Sequence, residues 1–227
     1  MIVLWELGGR EGRRYSLFSW RTRMALAHKG LEFEATPVLM SDKAAIAFSG
    51  GKTVPVIRDG DAVVRDSWKI AEHLEARYPE RPTLFGGEIG RGVTHAFNTW
   101  VDRALLGPML QLVAPDIHVR VDPADQAHFR AMVEGAVKKT LEDLAARRAE
   151  SLERLARALE PLQTLTRRQP YVCGSAPAYG DYILFSLFQW VRLMSPQEVL
   201  KPADPLHAWR EKLLDLHGGL ARAHAPQ

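Results

Sequence analysis

The chain has 227 residues, of which 46% are hydrophobic and 25% charged, the balance of a folded protein and not of a disordered tail. A chain this long buries about 70% or more of its unfolded surface, so it needs neither disulfide nor metal to hold a core. Its single cysteine, Cys173, excludes an internal disulfide. Thirty Lys+Arg against 27 Asp+Glu leave a formal +3, too small a surplus to mark a nucleic-acid binder or a membrane-surface protein.

The opening apolar run, Met1 to Leu7, is too short for a signal-peptide core and carries Glu6 inside it. The longest such run, Tyr182 to Met194, contains Gln189 and Arg192 and falls short of the ~20 residues of a membrane span. A reducing cytoplasm is the expected setting, with Cys173 as a buried small hydrophobe.

Strand and helix signals alternate through the first third. Ile2 to Leu7 reads as a strand ended by Gly8-Gly9. Arg21 to Lys29 is rich in helix formers and stops at Gly30. Leu31 to Val38 alternates as a second strand, and Asp42 to Phe48 as a short helix. Val54 to Ile57, Asp59-Gly60 and Ala62 to Val64 form a hairpin pattern. Ser67 to Tyr78 is amphipathic, with Ile70, Leu74 and Tyr78 four apart. The order β-α-β-(α)-β-β-α predicts a small mixed four-stranded sheet, its first two strands parallel.

From Pro79 to Gly92 two prolines and four glycines in fourteen residues replace this pattern, and a linker over 81–92 divides residues 1–80 from 93–227. Beyond it only helical signals remain, at Val93 to Val113, Ala127 to Thr166, Asp181 to Met194 and Leu206 to Leu216. Pro108 is expected to kink or divide the first of these. The Ala127–Thr166 stretch pairs Glu150 with Arg154 and Glu153 with Arg157 at i,i+4. The chain therefore reads as an α/β domain followed by an all-α bundle.

Three places carry candidate chemistry. Ser16 and Ser19 lie at the start of the first helix, where free N–H groups and the dipole favour an anion; either is also a plain N-cap. Thr53-Val54-Pro55 opens a strand, and a proline there points to an edge whose Val54 backbone is free to pair with an extended ligand. Asp66-Ser67 heads the helix after the hairpin, where Asp66 can accept from an ammonium and the N-terminal N–H groups can hold a carboxylate; capping is again the alternative. The eight histidines are scattered without metal spacing, so no metal is expected.

Taken together these stretches resemble the cytosolic glutathione transferase superfamily over essentially the whole chain. Ser16 to Gly30 (SLFSWRTRMALAHKG) is similar to its serine-type signature, and Val54-Pro55-Val56-Ile57 followed by Asp66-Ser67 is similar to its second half. Trp20-Arg21-Thr22, the run Asp66 to Glu72 and Tyr78 to Pro82 resemble the bacterial glutathione-dependent β-aryl etherases and their fungal-type relatives. The resemblance implies a thioredoxin-like first domain, glutathione as co-substrate and a homodimer. It implies Ser16 as the catalytic hydroxyl, with Ser19 as the fallback. Val54, before a cis Pro55, is implied to pair with the cysteinyl backbone. Asp66 and Ser67 are implied to hold the γ-glutamyl end and Lys52 the glycyl carboxylate, with Thr53 and Pro55 also among the glutathione-binding residues.

A small hydrophobic electrophile is then expected between the first helix and the helical domain, against Phe18, Trp100, Leu105 and Met109; core packing is the alternative for each, and the stronger one for Trp100. Two other functions stay open, a zeta-like glutathione-dependent isomerase and a non-catalytic binding protein. The zeta class carries Ser-Ser-Cys where this chain reads Ser16-Leu17-Phe18, which argues against the isomerase. One departure lies in the second domain, where Ala178 stands in place of the family's cap hydroxyl three residues before Asp181. That substitution is expected to weaken the helix start by about 1 kcal/mol.

Overall fold

The computed structural model describes residues 1–9 and 12–224. Four strands, β1 (Ile2–Leu7), β2 (Phe33–Val38), β3 (Val56–Asp59) and β4 (Ala62–Arg65), form one sheet in the order β2-β1-β3-β4. β1 and β2 run parallel across helix α1 (Leu17–His28); β3 and β4 are antiparallel, turning at Gly60-Asp61. Helix α2 (Ser67–Arg77) follows β4, and a 3-10 turn, Ala44–Ser49, leads from β2 towards β3. The expected mixed four-stranded domain is present. One expectation fails: β3 is an inner strand, not an edge. Pro55 is tolerated because the ladder begins one residue later, at the Trp5↔Val56 pair, so no ladder bond needs its missing N–H.

The second half is helical: α3 (Glu88–Ala104), α4 (Leu106–Arg120), α5 (Pro123–Val137), α6 (Leu141–Ala146), α7 (Arg148–Thr166), α8 (Tyr179–Met194) and α9 (Pro205–Gly219). Helix α3 starts inside the stretch read as linker. The break before α4 falls at Leu105, and Pro108 sits in the first turn of α4, where its missing N–H leaves no bond unmade. The single long stretch 127–166 is three helices. Lys138 turns left-handed at φ 55° to end α5, and Thr140 with Asp143 forms a reciprocal capping box on α6, a T-x-x-D signal legible in sequence. Glu153 pairs with Arg157 as expected, but Glu150 pairs with Arg147 and not Arg154.

Helix α8 is buried along nearly its whole length and packs against α1, joining the two halves in one continuous core. Ala178 makes no side-chain cap. The buried Asp181 carboxylate compensates, accepting from the backbone N–H of Val172 (2.7 Å), Cys173 (3.1 Å) and Ala178 (3.2 Å), and from the Trp209 indole (2.8 Å). Among the described residues no helix is long and apolar enough to cross a membrane.

The basic residues in and beside α1 are structural. Arg21, 1% exposed, donates to Ser186 on α8 and to Asn98 and Asp102 on α3, the last at 2.6 Å. Arg23 and Arg14 grip the buried Glu6 on β1, and Lys29 reaches Glu75 of α2 at 2.6 Å. Such buried pairs hold geometry more than they add stability, yet removing one partner costs about 3–5 kcal/mol.

Candidate active site

A cavity of about 630 Å³ opens between the sheet domain and the helices. One end is polar and formed by the first domain: Ser16, Lys52, Thr53, Val54, Pro55, Asp66 and Ser67 all line it. The other side is formed by helices and is mostly apolar, with Leu106, Leu110 and Ile117 from α4, Phe129 and Met132 from α5 and Trp190 from α8, and with His128 of α5 among them.

Ser16 is the N-cap of α1. Its backbone is extended (φ −68°, ψ 115°), and its hydroxyl oxygen accepts from the Ser19 N–H at 3.2 Å. Capping uses one oxygen lone pair and leaves the O–H available as a donor, so capping and thiol activation are compatible roles. Ser19 lies elsewhere. It is fully buried, its hydroxyl has no hydrogen-bond partner, and it does not line the cavity.

Val54 immediately precedes a cis peptide bond to Pro55. It stands just outside β3, half-buried at the cavity wall. Asp66 caps α2, its carboxylate accepting from Trp68 N–H (3.0 Å) and Lys69 N–H (3.1 Å). Its backbone is left-handed at φ 74°; for a side chain with a Cβ this costs on the order of 1–3 kcal/mol, a strain held by the Asp66 N–H to Pro55 carbonyl bond at 3.3 Å. Ser67 is buried beside it, and its carbonyl accepts from the Tyr179 hydroxyl.

Of the expected apolar walls, Phe18 lines the cavity, with the Arg21 guanidinium 4.9 Å from its ring centre. Leu105 and Met109 do not: both are fully buried in the core. Their successors Leu106 and Leu110, about 100° further round the helix, face the cavity instead. Trp100 stacks on Phe97 and is also absent from the wall. Helical periodicity identifies an apolar stripe but not which flank of it meets a cleft.

Two features escape sequence reasoning. Asp125, fully buried in the first turn of α5, accepts from the backbone N–H of Met40 (2.7 Å) and Ser41 (2.8 Å). It thereby fastens the loop after β2, which lines the cavity, to the helical domain. The Asp122-Pro123 cap signal for α5 is present in sequence, but nothing local shows a carboxylate reaching a loop 84 residues away. The second is Tyr15, at the cavity wall with an unpartnered hydroxyl.

Cys173 corrects an expectation too. The residue is exposed, with its sulfur so close to Gly180 that a Cβ there would sit 2.7 Å away. Local burial, then the Asp181 charge, pushes the thiol up to about 12, so it is no nucleophile near neutrality.

Comparison with known proteins agrees with this architecture. Residues 92–216 match the family model of the glutathione S-transferase C-terminal domain, and residues 15–77 that of the N-terminal domain. The chain belongs to the glutathione S-transferase family. It is similar over 98% of its length to glutathione transferase GSTFuA3 from Phanerochaete chrysosporium, with 27% identity, TM-score 0.77 and 93% of that chain covered. Its fold is also that of CsGST63524 of Ceriporiopsis subvermispora, solved in complex with glutathione, with TM-score 0.77, 20% identity and coverage of 98% and 94% of the two chains. Glutathione S-transferase Z1 of Arabidopsis thaliana is 44% identical over 71 residues, 28% of this chain and 31% of that protein. The chain thus spans about a third of the length of the curated relatives it matches.

Proposed function

We propose that this chain is a serine-type glutathione S-transferase whose Ser16 hydroxyl stabilises the glutathione thiolate for attack on a small hydrophobic electrophile. The observation that carries this reading is the gathering of Ser16, Val54 and Asp66-Ser67 at the polar end of a cavity whose other side is mostly apolar. Glutathione lies along that polar end. Asp66 accepts from the γ-glutamyl ammonium, Ser67 at the head of α2 donates to its carboxylate, the Val54 backbone pairs with the cysteinyl unit, and Lys52 with Thr53 meets the glycyl carboxylate. Residues 1–80 form this half and the helices from Glu88 onward the substrate half.

A free thiol with a pKa near ~8.5 is a few per cent ionised at pH 7. A hydroxyl donor at a helix N-terminus favours the anion, each pKa unit corresponding to roughly 1.4 kcal/mol. The thiolate then forms the C–S bond. With a β-aryl ether as the electrophile, the bond that breaks is carbon to aryloxy oxygen, and the departing aryloxide takes a proton from water. The likeness to etherases in Trp20-Arg21-Thr22 and the run Asp66 to Glu72 supports that substrate class. The working form is a cytoplasmic homodimer, supported by Ile89 and Val93, 86% and 65% exposed on α3.

The identity to the zeta-class relatives over 71 residues favours a second reading, a glutathione-dependent isomerase; Leu17-Phe18 in place of Ser-Cys counts against it. Turnover of a halonitroaromatic, a β-aryl ether and a maleyl diketone by the same preparation separates the two readings, and no turnover of any would leave a binding protein. Ser16→Ala is expected to cut kcat by about tenfold or more with little change in glutathione affinity, the mark of an interaction made chiefly with the developing charge. Ser19→Ala is expected to leave both unchanged. Equal kinetics for Ser16→Ala and the parent chain would sink the assignment.

A further inference from the structure

A second cavity, of about 350 Å³, lies by the C-terminal ends of α4 and α8 and shares no described lining residue with the larger one. Its wall brings together four arginines from distant parts of the chain: Arg13 ahead of α1, Arg120 at the last position of α4, Arg192 in α8 and Arg210 in α9. One carboxylate, Glu198, stands among the described lining residues, and the Arg210 guanidinium already holds it at 2.9 Å. Arg120 donates to the Asp116 carbonyl of its own helix, at 3.4 Å; the Asp116 carboxylate itself is taken by Arg148, at 2.6 Å, and by the Ser195 hydroxyl. Arg192 donates to the Gln189 amide oxygen and to the carbonyls of Ala221, Arg222 and His224, all neutral acceptors. Neither Arg120 nor Arg192 has an ion pair with a described carboxylate. A guanidinium stays charged in a protein, so the cavity concentrates positive charge that its own wall does not neutralise. Arg192 registers the crowding: burial first, then the charges of Arg222 and Arg210, push its pKa below the ordinary guanidinium value, with Glu211 offsetting part of this.

We propose that this second cavity binds a small organic phosphate, its anionic group among the four guanidiniums and its carbon part against Phe188 and Val191 of the same wall. The inference is independent of the proposed function. A phosphate monoester carries a charge of about −1.5 to −2 at pH 7 and three strong acceptor oxygens, enough to meet several guanidiniums at once, where a single carboxylate leaves most of the surplus standing. The planar donor fork of arginine matches a phosphate in two parallel bonds. The volume exceeds what a bare oxyanion fills and falls at the small end of the range of organic ligand sites, about 300–1,000 Å³.

The probe is phenyl phosphate, titrated calorimetrically into the full chain at pH 7 and low ionic strength, without glutathione, so a failure of the transferase reading does not touch the result. One molecule is expected to bind per chain. Arg120→Gln gives up a single long bond to its own helix and is expected to weaken binding about tenfold, the worth of a charge-assisted hydrogen bond. Lys43→Gln removes a cation from the wall of the larger cavity and is expected to leave the affinity unchanged. With the unsubstituted chain, inorganic phosphate is expected to displace the probe while binding more weakly than it does, a readout that needs no variant to fold. The proposal is overturned by absence of binding, by an Arg120→Gln variant that binds as the parent chain does, by an equal loss in Lys43→Gln, which marks diffuse surface charge, or by a probe that inorganic phosphate fails to displace.

Discussion

The hydroxyl of Tyr179, fully buried in α8, donates to the carbonyl of Ser67 at 2.7 Å. This bond crosses from the helical domain to the first residue of α2, beside the strained Asp66. Tyr179→Phe removes it while keeping the ring, which also packs on Trp68 and Phe85. A loss of about 1 kcal/mol in stability is expected. Glutathione KM is expected to rise more than kcat falls, because the Asp66-Ser67 head is loosened while Ser16 stays in place. Urea denaturation and steady-state kinetics check the two parts.

Asp125 ties Met40 and Ser41 to the helical domain through two backbone N–H donors. Asp125→Asn keeps the shape but replaces one acceptor oxygen by an amide that also donates. Buried bonds to a charged group are worth about 1.5–3 kcal/mol, so a loss of about 2 kcal/mol or more is expected in the urea midpoint. Faster amide exchange is expected at Met40 and Ser41, with the far side of α7 unaffected.

Three side chains near the end of α9 predict an acid weakness. The Tyr182 hydroxyl lies 2.7 Å from His28 Nδ1 and 3.2 Å from His217 Nε2. Burial, with His28 as a second cause, pushes His217 down to about 4; burial also lowers His28. A histidine whose folded pKa lies below its unfolded value is stabilising above the unfolded value, ~6.5, where neither state binds the proton. As pH falls towards 4 the unfolded chain takes up more protons than the folded one, and stability is lost. Thermal melts are expected to show a lower Tm at pH 4.5 than at pH 7, with His217→Gln reducing the difference.

The thiol of Cys173, pushed up to about 12, is expected to be slow towards an aromatic disulfide reagent despite its exposed position. At pH 8 the native chain is expected to react at least ~10-fold more slowly than the urea-unfolded chain, because the thiolate is the reacting species. Asp181→Asn is expected to quicken the native reaction by removing the neighbouring negative charge.

Local chemistry alone determined the element order of the first domain, a capping hydroxyl at Ser16 or Ser19, the Val54-Pro55 strand opening and a helix headed by Asp66-Ser67, since each depends on residues a few positions apart: a hydroxyl before a helix, a proline before a ladder, a polar pair ahead of free N–H groups. The polar end of the cavity was legible for that reason. That α1 starts at Leu17 and not at Arg21, and that Asp66 and not Ser67 supplies the cap, came from the structure. The tertiary structure alone decided that β3 lies inside the sheet, that Leu106 and Leu110 face the cavity while Leu105 and Met109 are buried, and that Asp125, Tyr179 and Arg21 bind partners far along the chain. A one-residue step turns a helix by about 100°, and only the packing of neighbouring elements chooses between adjacent flanks. Buried polar partners likewise meet across dozens of residues, a distance at which the sequence carries no periodicity to read.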